Sequence, residues 1–205
     1  MAGIRIKSQW FRDGAAKTPQ QNASAMAFIT WRVTQNMLKQ MRGADFDIEI
    51  GAQYFAFTRE VLVFLIQVID RLASQRMDVE LRTQFMTALV LRVADILEEN
   101  EDRLLGPPAA GQGSHSASFI AQFNELADHY AEFGFEADGP DFAFVRYLGH
   151  RIEALMSLKD QRWVVEQVMA SEVPDALEMI KRGLQGVLST EPRPKRAGRS
   201  LAAGD

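Results

Sequence analysis

Cysteine is missing from all 205 residues. That removes disulfides, thiolate zinc sites, iron–sulfur clusters and cysteine nucleophiles in one step. Histidine is scarce, with only His115, His129 and His150. There is no P-loop, no GxGxxG, no GxSxG, no HExxH and no EF-hand loop, so the chemistries those motifs carry are not signalled. Long apolar runs are lacking as well. The most apolar stretch, 61–69, already holds Gln67 and is bounded by Glu60 and Asp70. A bilayer span needs about 20 apolar residues. Near the N-terminus Arg5 and Lys7 interrupt Ile4 and Ile6, which is not a signal-peptide core. The expectation is a soluble, cytoplasmic protein with no transmembrane segment.

What is present is ordinary in total and uneven in distribution. Hydrophobic residues make up 47% and charged residues 24%, as in soluble globular proteins. The formal net charge is −4. Residues 1–20 carry four basic side chains against Asp13, and residues 191–205 carry four against Glu191 and Asp205. The 170 residues between hold 15 basic and 24 acidic side chains, a net of −9. Nucleic-acid binding needs Lys and Arg clustered on a folded face, so an acidic body with short basic ends disfavours it.

Hydrophobic spacing predicts an all-α fold, a bundle of six to seven helices. Three long ones come first, at about 20–44, 51–76 and 78–105, and shorter C-terminal helices pack against them. Met26, Ile29, Val33, Met37 and Met41 stripe the first helix. Tyr54, Thr58, Val61, Leu62, Leu65, Val68, Ile69 and Leu72 stripe the second. Asp78 is placed to cap the third. Residues 106–118 are rich in Gly, Pro and Ser and read as a linker in which His115 is solvent-exposed. A fourth helix follows from about 118. Pro140 suits the first turn of a fifth. Asp160 is placed to cap a sixth whose inner face includes Trp163 and Val164, and Pro174 marks a break or kink. Residues 1–19 read as an irregular arm, anchored by Trp10 and Phe11. Residues 20–189 read as one domain, and 190–205 as a disordered basic tail. No convincing strand pair is expected.

Three constellations stand out. Glu125 and His129 are four apart on the fourth helix, and His150 and Glu153 three apart on the fifth, so each pair shares a helical face. If the two helices form a hairpin, the four side chains make a two-His, two-carboxylate set that suits zinc, iron or manganese. On the second helix Glu60, Gln67, Asp70, Arg71 and Ser74 fall roughly on one side. The expectation is a solvent stripe or salt bridges to neighbouring helices; the alternative is a buried polar network. Finally, that helix is apolar on nearly every side over 61–69, and must be covered by its own chain, by another subunit or by a ligand. Phe57, Val61, Phe64 and Val68 are the candidate interaction surface.

These features lead to a non-enzymatic helical protein that acts through protein–protein contacts as a homodimer. The alternatives are a helical-bundle metal-binding protein or metalloenzyme, and a sensor of an apolar small molecule.

Overall fold

The computed structural model describes residues 17–137 and 139–189. Among them the chain is all-α: a helical bundle with one very short strand pair. Helix α1 (Pro19–Gly43) starts with a capping box. Thr18 Oγ1 accepts from the Gln21 amide at 3.2 Å, and Gln21 Oε1 accepts from the Thr18 amide at 3.0 Å. Helix α2 (Ala52–Ser74) follows Gly51, whose φ of 138° suits a residue without Cβ. Asp78 caps α3 (Val79–Leu105), its carboxylate accepting from the Leu81 amide at 2.9 Å, as its position in the sequence predicts.

The C-terminal half departs from expectation in detail. Helix α4 (His115–Ala131) begins three residues early, because Ser114 caps it by accepting from the Ala117 amide. His115 therefore belongs to a helix, not to the linker. Two-residue strands β1 (Phe135–Glu136) and β2 (Gly139–Pro140) pair antiparallel, and Pro140 lies in β2, outside the helix. The cap of α5 (Phe142–Glu153) is Asp141. One carboxylate oxygen accepts from the Phe144 amide at 2.8 Å and the other from the Gly134 amide at 2.9 Å, tying the hairpin to the helix. Asp160 is no cap either. It sits inside α6 (Leu158–Gln167) and accepts from the Asp47 amide at 3.0 Å, pinning the α1–α2 connection. Trp163 turns outward and is 64% exposed, so Val164, with Val165 beside it, carries that turn's core contact. The arm with Trp10 and Phe11 and the basic tail lie outside the described residues.

Helix α2 is the centre of the bundle. Every residue from 60 to 69 is buried, and α1, α3, α4, α5 and α7 (Val173–Leu188) all pack on it. Cross-bridges fix the directions. Arg59 meets Glu101 and Asp70 meets Arg82, so α3 runs antiparallel to α2. Gln122 meets Glu60 while Arg71 donates to the Tyr130 carbonyl, so α4 runs parallel to it. Arg151 meets Glu60 and Phe144 meets Phe64, so α5 runs antiparallel. Elsewhere the helices approach closely at glycine: a Cβ on Gly183 would lie 2.8 Å from Ile29 Cγ2, where α7 crosses α1.

By length and composition the whole of α2 is apolar enough to cross a membrane, which the run 61–69 alone does not suggest. Most of that helix is buried inside the bundle. The candidate interaction surface must be corrected on the same ground. Phe57, Val61, Phe64 and Val68 are each 0% exposed and form no surface in the protomer. Of the three covers considered for 61–69, its own chain supplies the cover.

Helices α6 and α7 are continuous through a π-helical turn, Val168–Glu172, in which the Val173 amide donates to the Val168 carbonyl five residues back. The wider turn accommodates Pro174, which has no amide to give the preceding turn. It also places Glu172 in the core, 3% exposed. One carboxylate oxygen accepts from Gln167 Nε2 at 2.9 Å and the other has no partner. Burial pushes this carboxyl above its ordinary range; the Gln167 hydrogen bond opposes the shift and Asp175 adds to it. A raised folded-state value means the native protein holds the proton longer than the unfolded chain does. Stability from this group therefore falls as pH rises past about 4.5 and through the folded value. Glu172→Gln is expected to unfold at higher urea than the parent at pH 7, with the gap shrinking toward pH 4. An unchanged or lower midpoint at pH 7 would show that Glu172 carries no desolvation cost.

Candidate functional site

Two adjacent residues, Arg59 and Glu60, put opposite charges into the middle of the bundle. Consecutive helical positions point about 100° apart, so the two side chains reach different neighbours. The Arg59 guanidinium makes a two-pronged contact with Glu101 on α3, at 2.8 and 2.6 Å, and donates to the His115 carbonyl at 3.2 Å. Glu60 accepts from Arg151 on α5 at 3.0 and 2.6 Å and from Gln122 on α4 at 2.9 Å. Glu60 and Glu101 are 4% and 2% exposed. Planar, two-pronged Arg–carboxylate pairs are the geometry in which buried charge is best tolerated. A buried carboxylate without its partner is strongly destabilising.

Helices α4 and α5 both pack on α2 but make little backbone contact with each other. Side chains span the gap. His129 Nδ1 on α4 is 2.7 Å from Tyr147 Oη on α5, with the rings edge-on. Beneath them Tyr130 is fully buried, 4.7 Å from Phe144 and 5.1 Å from Tyr147 between ring centroids, and its hydroxyl has no hydrogen-bond partner. Burial drives the Tyr130 phenol well above its ordinary range; Glu60 and Tyr147 reinforce this and Arg151 opposes it. Tyr147 is raised too, mainly by burial, against Arg151 and with help from Glu60 and Glu125. Burial also raises Tyr54, against its hydrogen bond to Gln35 and the charge of Arg42.

The metal candidates are distributed differently from the hypothesised set. His150 Nδ1 lies 2.9 Å from Glu153 Oε2 on its own helix, and His150 Nε2 accepts from Arg146 Nε at 3.0 Å. His129 is engaged with Tyr147. No three of Glu125, His129, His150 and Glu153 converge, and no such group of three occurs among the described residues. The reason is register: Tyr147, one turn before His150, is the α5 residue that faces His129.

The Glu60–Arg151–Gln122 cluster is what sequence reasoning ranked too low. Its signal was a carboxylate at the head of a run apolar on all sides. Asp70 and Glu60 both form the expected salt bridges to neighbouring helices, and Glu60 and Gln67 are in addition buried, as in a buried polar network. His115 is corrected as well: its ring is 20% exposed and lies against Glu101. Chemically, the seam is a set of filled hydrogen bonds fastening three helices to α2. Comparison with protein-family models, curated proteins and solved structures finds no match.

Arg151→Met is expected to cost about 3 kcal/mol by stranding Glu60, at the low end for buried pairs because Arg151 is partly exposed. Adding Glu60→Leu should recover most of that loss. Urea titration of the two single variants and the double variant measures the coupling, and purely additive losses would mean the pair is not a unit. Alkaline titration followed by tyrosinate absorbance should show all three native phenols ionising above about 10. Since the folded state keeps these protons, stability should fall as pH climbs past that value. Early ionisation of a tyrosine in folded protein would contradict the buried placement.

Proposed function

We propose that this is a non-enzymatic, cytoplasmic helical protein that works through protein–protein contacts, as a homodimer. What supports the reading is where its large apolar side chains remain in solvent. The α1–α2 connection, the end of α3 and the start of α6 share one end of the bundle. Asp47 is bonded to Asp160 and to Lys159, and the start of α2 reaches the end of α5 through Gln53 and the Leu155 carbonyl at 2.8 Å. That end exposes Ile50 (67%), Leu104 (50%), Leu105 (46%) and Leu158 (84%). Apolar groups left in water are costly and are a normal feature of contact surfaces; the opposite end, at the starts of α3 and α5, also exposes Val79 (79%), Leu81 (45%) and Phe142 (67%). Meanwhile the charged groups of the seam are committed to one another, which favours a binding role over acid–base work. The burial of most of α2 favours a soluble protein.

Sedimentation equilibrium across micromolar concentrations should give a dimer mass. Ile50→Asp together with Leu158→Asp should weaken dimerisation at least tenfold, since each charge must be desolvated at the interface. A parent protein that is monomeric throughout that range overturns the homodimer reading.

A further inference from the structure

Nine residues, 106–114, connect the end of α3 to the start of α4, and the ring of His115 closes them. Its Nδ1 lies 3.2 Å from Glu101 Oε2. Its Nε2 lies 3.2 Å from the Gly106 carbonyl and 3.7 Å from Asp102 Oδ1. Every one of these partners is an acceptor: two carboxylates and a main-chain carbonyl. Neutral imidazole has a single N–H, so it donates on one side and turns a lone pair toward an acceptor on the other; imidazolium donates on both. We propose that His115 is a pH-sensitive latch that fastens the 106–114 connection to the α2–α3 core when its ring is protonated and releases the Gly106 side when it is not.

The surroundings give the latch both a fixed and a movable part. The fixed part is the helix start itself: the His115 carbonyl accepts from Arg59 Nη2, and the Ser116 amide donates to Glu98 Oε1 at 3.3 Å. Neither bond depends on the imidazole. The charged groups around the ring are Glu98, Glu101 and Asp102 from α3 and Arg59 from α2, two of which, Arg59 and Glu101, neutralise each other in a two-pronged pair. Asp102, 3.7 Å from Nε2, and Glu98 are the carboxylates left to respond to the ring's charge. The movable part is the connection, which bends through Gly106 and Gly111 at φ of 84° and 90°. An open cavity of about 360 Å³, lined by Pro108, Gln112, Gly113, Ser114, His115 and Ser118, lies alongside it. Room for water there means that a released Gly106 carbonyl is hydrated at little cost.

Amide hydrogen exchange of the full chain, read by mass spectrometry and corrected for intrinsic rates, tests this at about pH 5.5 and pH 8, on either side of the ordinary histidine range. The loss of one hydrogen bond predicts protection of 106–116 about tenfold lower at pH 8 in the parent. His115→Gln, which cannot change charge, should show equal protection at the two values. Equal protection in the parent, or a pH dependence that survives in His115→Gln, overturns the proposal. Should the variant fail to fold, nitrogen-15 imidazole spectra of the parent serve instead: Nε2 must lose or keep its proton in step with the change in protection, and titration without such a change overturns the latch.

Discussion

Placing two charged side chains next to each other in the most buried helix constrains everything around it. Burying a side chain such as Leu62, Phe64, Leu65 or Ile66 contributes about 1.5–3 kcal/mol. A buried carboxylate with no partner costs as much or more. The apolar run of α2 therefore stabilises the bundle only if Glu60 and Glu101 find their cations. Arg59 dictates which turn of α3 lies alongside and where α4 begins. Glu60 dictates which turns of α4 and α5 lie on either flank. A slip of one turn in α4 or α5 would keep much of the apolar contact but strand a charge. Hydrophobic burial supplies the stability of this fold, and the ion pairs select among its registers.

The same constraint explains which features were legible. The extents of the long helices follow from hydrophobic period and caps alone, and Asp78 caps α3 where its spacing to the apolar stripe places it. These are local effects, settled within a few residues of chain. Asp160 is not the cap because its carboxylate serves an amide 113 residues away, at Asp47, while Ser157 marks the start of the helix. Trp163 lies outside the core because period 3.6 defines a stripe but not its width: α6 packs on Gly149 through Val165 and leaves the indole in solvent. Tertiary partners decided both cases, and no window of sequence contains them.

The candidate metal set shows a different limit. Spacing within a helix correctly identifies side chains that share a face, and His150 does meet Glu153. Convergence between helices depends on their rotation and stagger, which Glu60 sets by drawing Arg151 inward. With Arg151 turned to α2, Tyr147 one turn earlier faces His129 across the gap, and His150 is rotated to the outside with Arg146 and Glu153. One buried ion pair thus decides the fate of residues that do not touch it.

Not every polar group buried in this core is satisfied. Glu60 and Glu101 have every oxygen engaged, whereas Tyr130 Oη and one oxygen of Glu172 have no partner. Both exceptions sit where helices are held by something other than regular packing, Tyr130 in the side-chain-bridged gap between α4 and α5 and Glu172 in the π turn. Unsatisfied polar atoms are costly, and Asn22 Oδ1 and Gln35 Nε2 on α1 are two more, so the cost is spread over the bundle rather than gathered at these two places. Displacing α5 would strand Glu60, so if the bundle rearranges when it binds, α6 and the π turn are the parts whose displacement leaves the ion pairs on α2 intact.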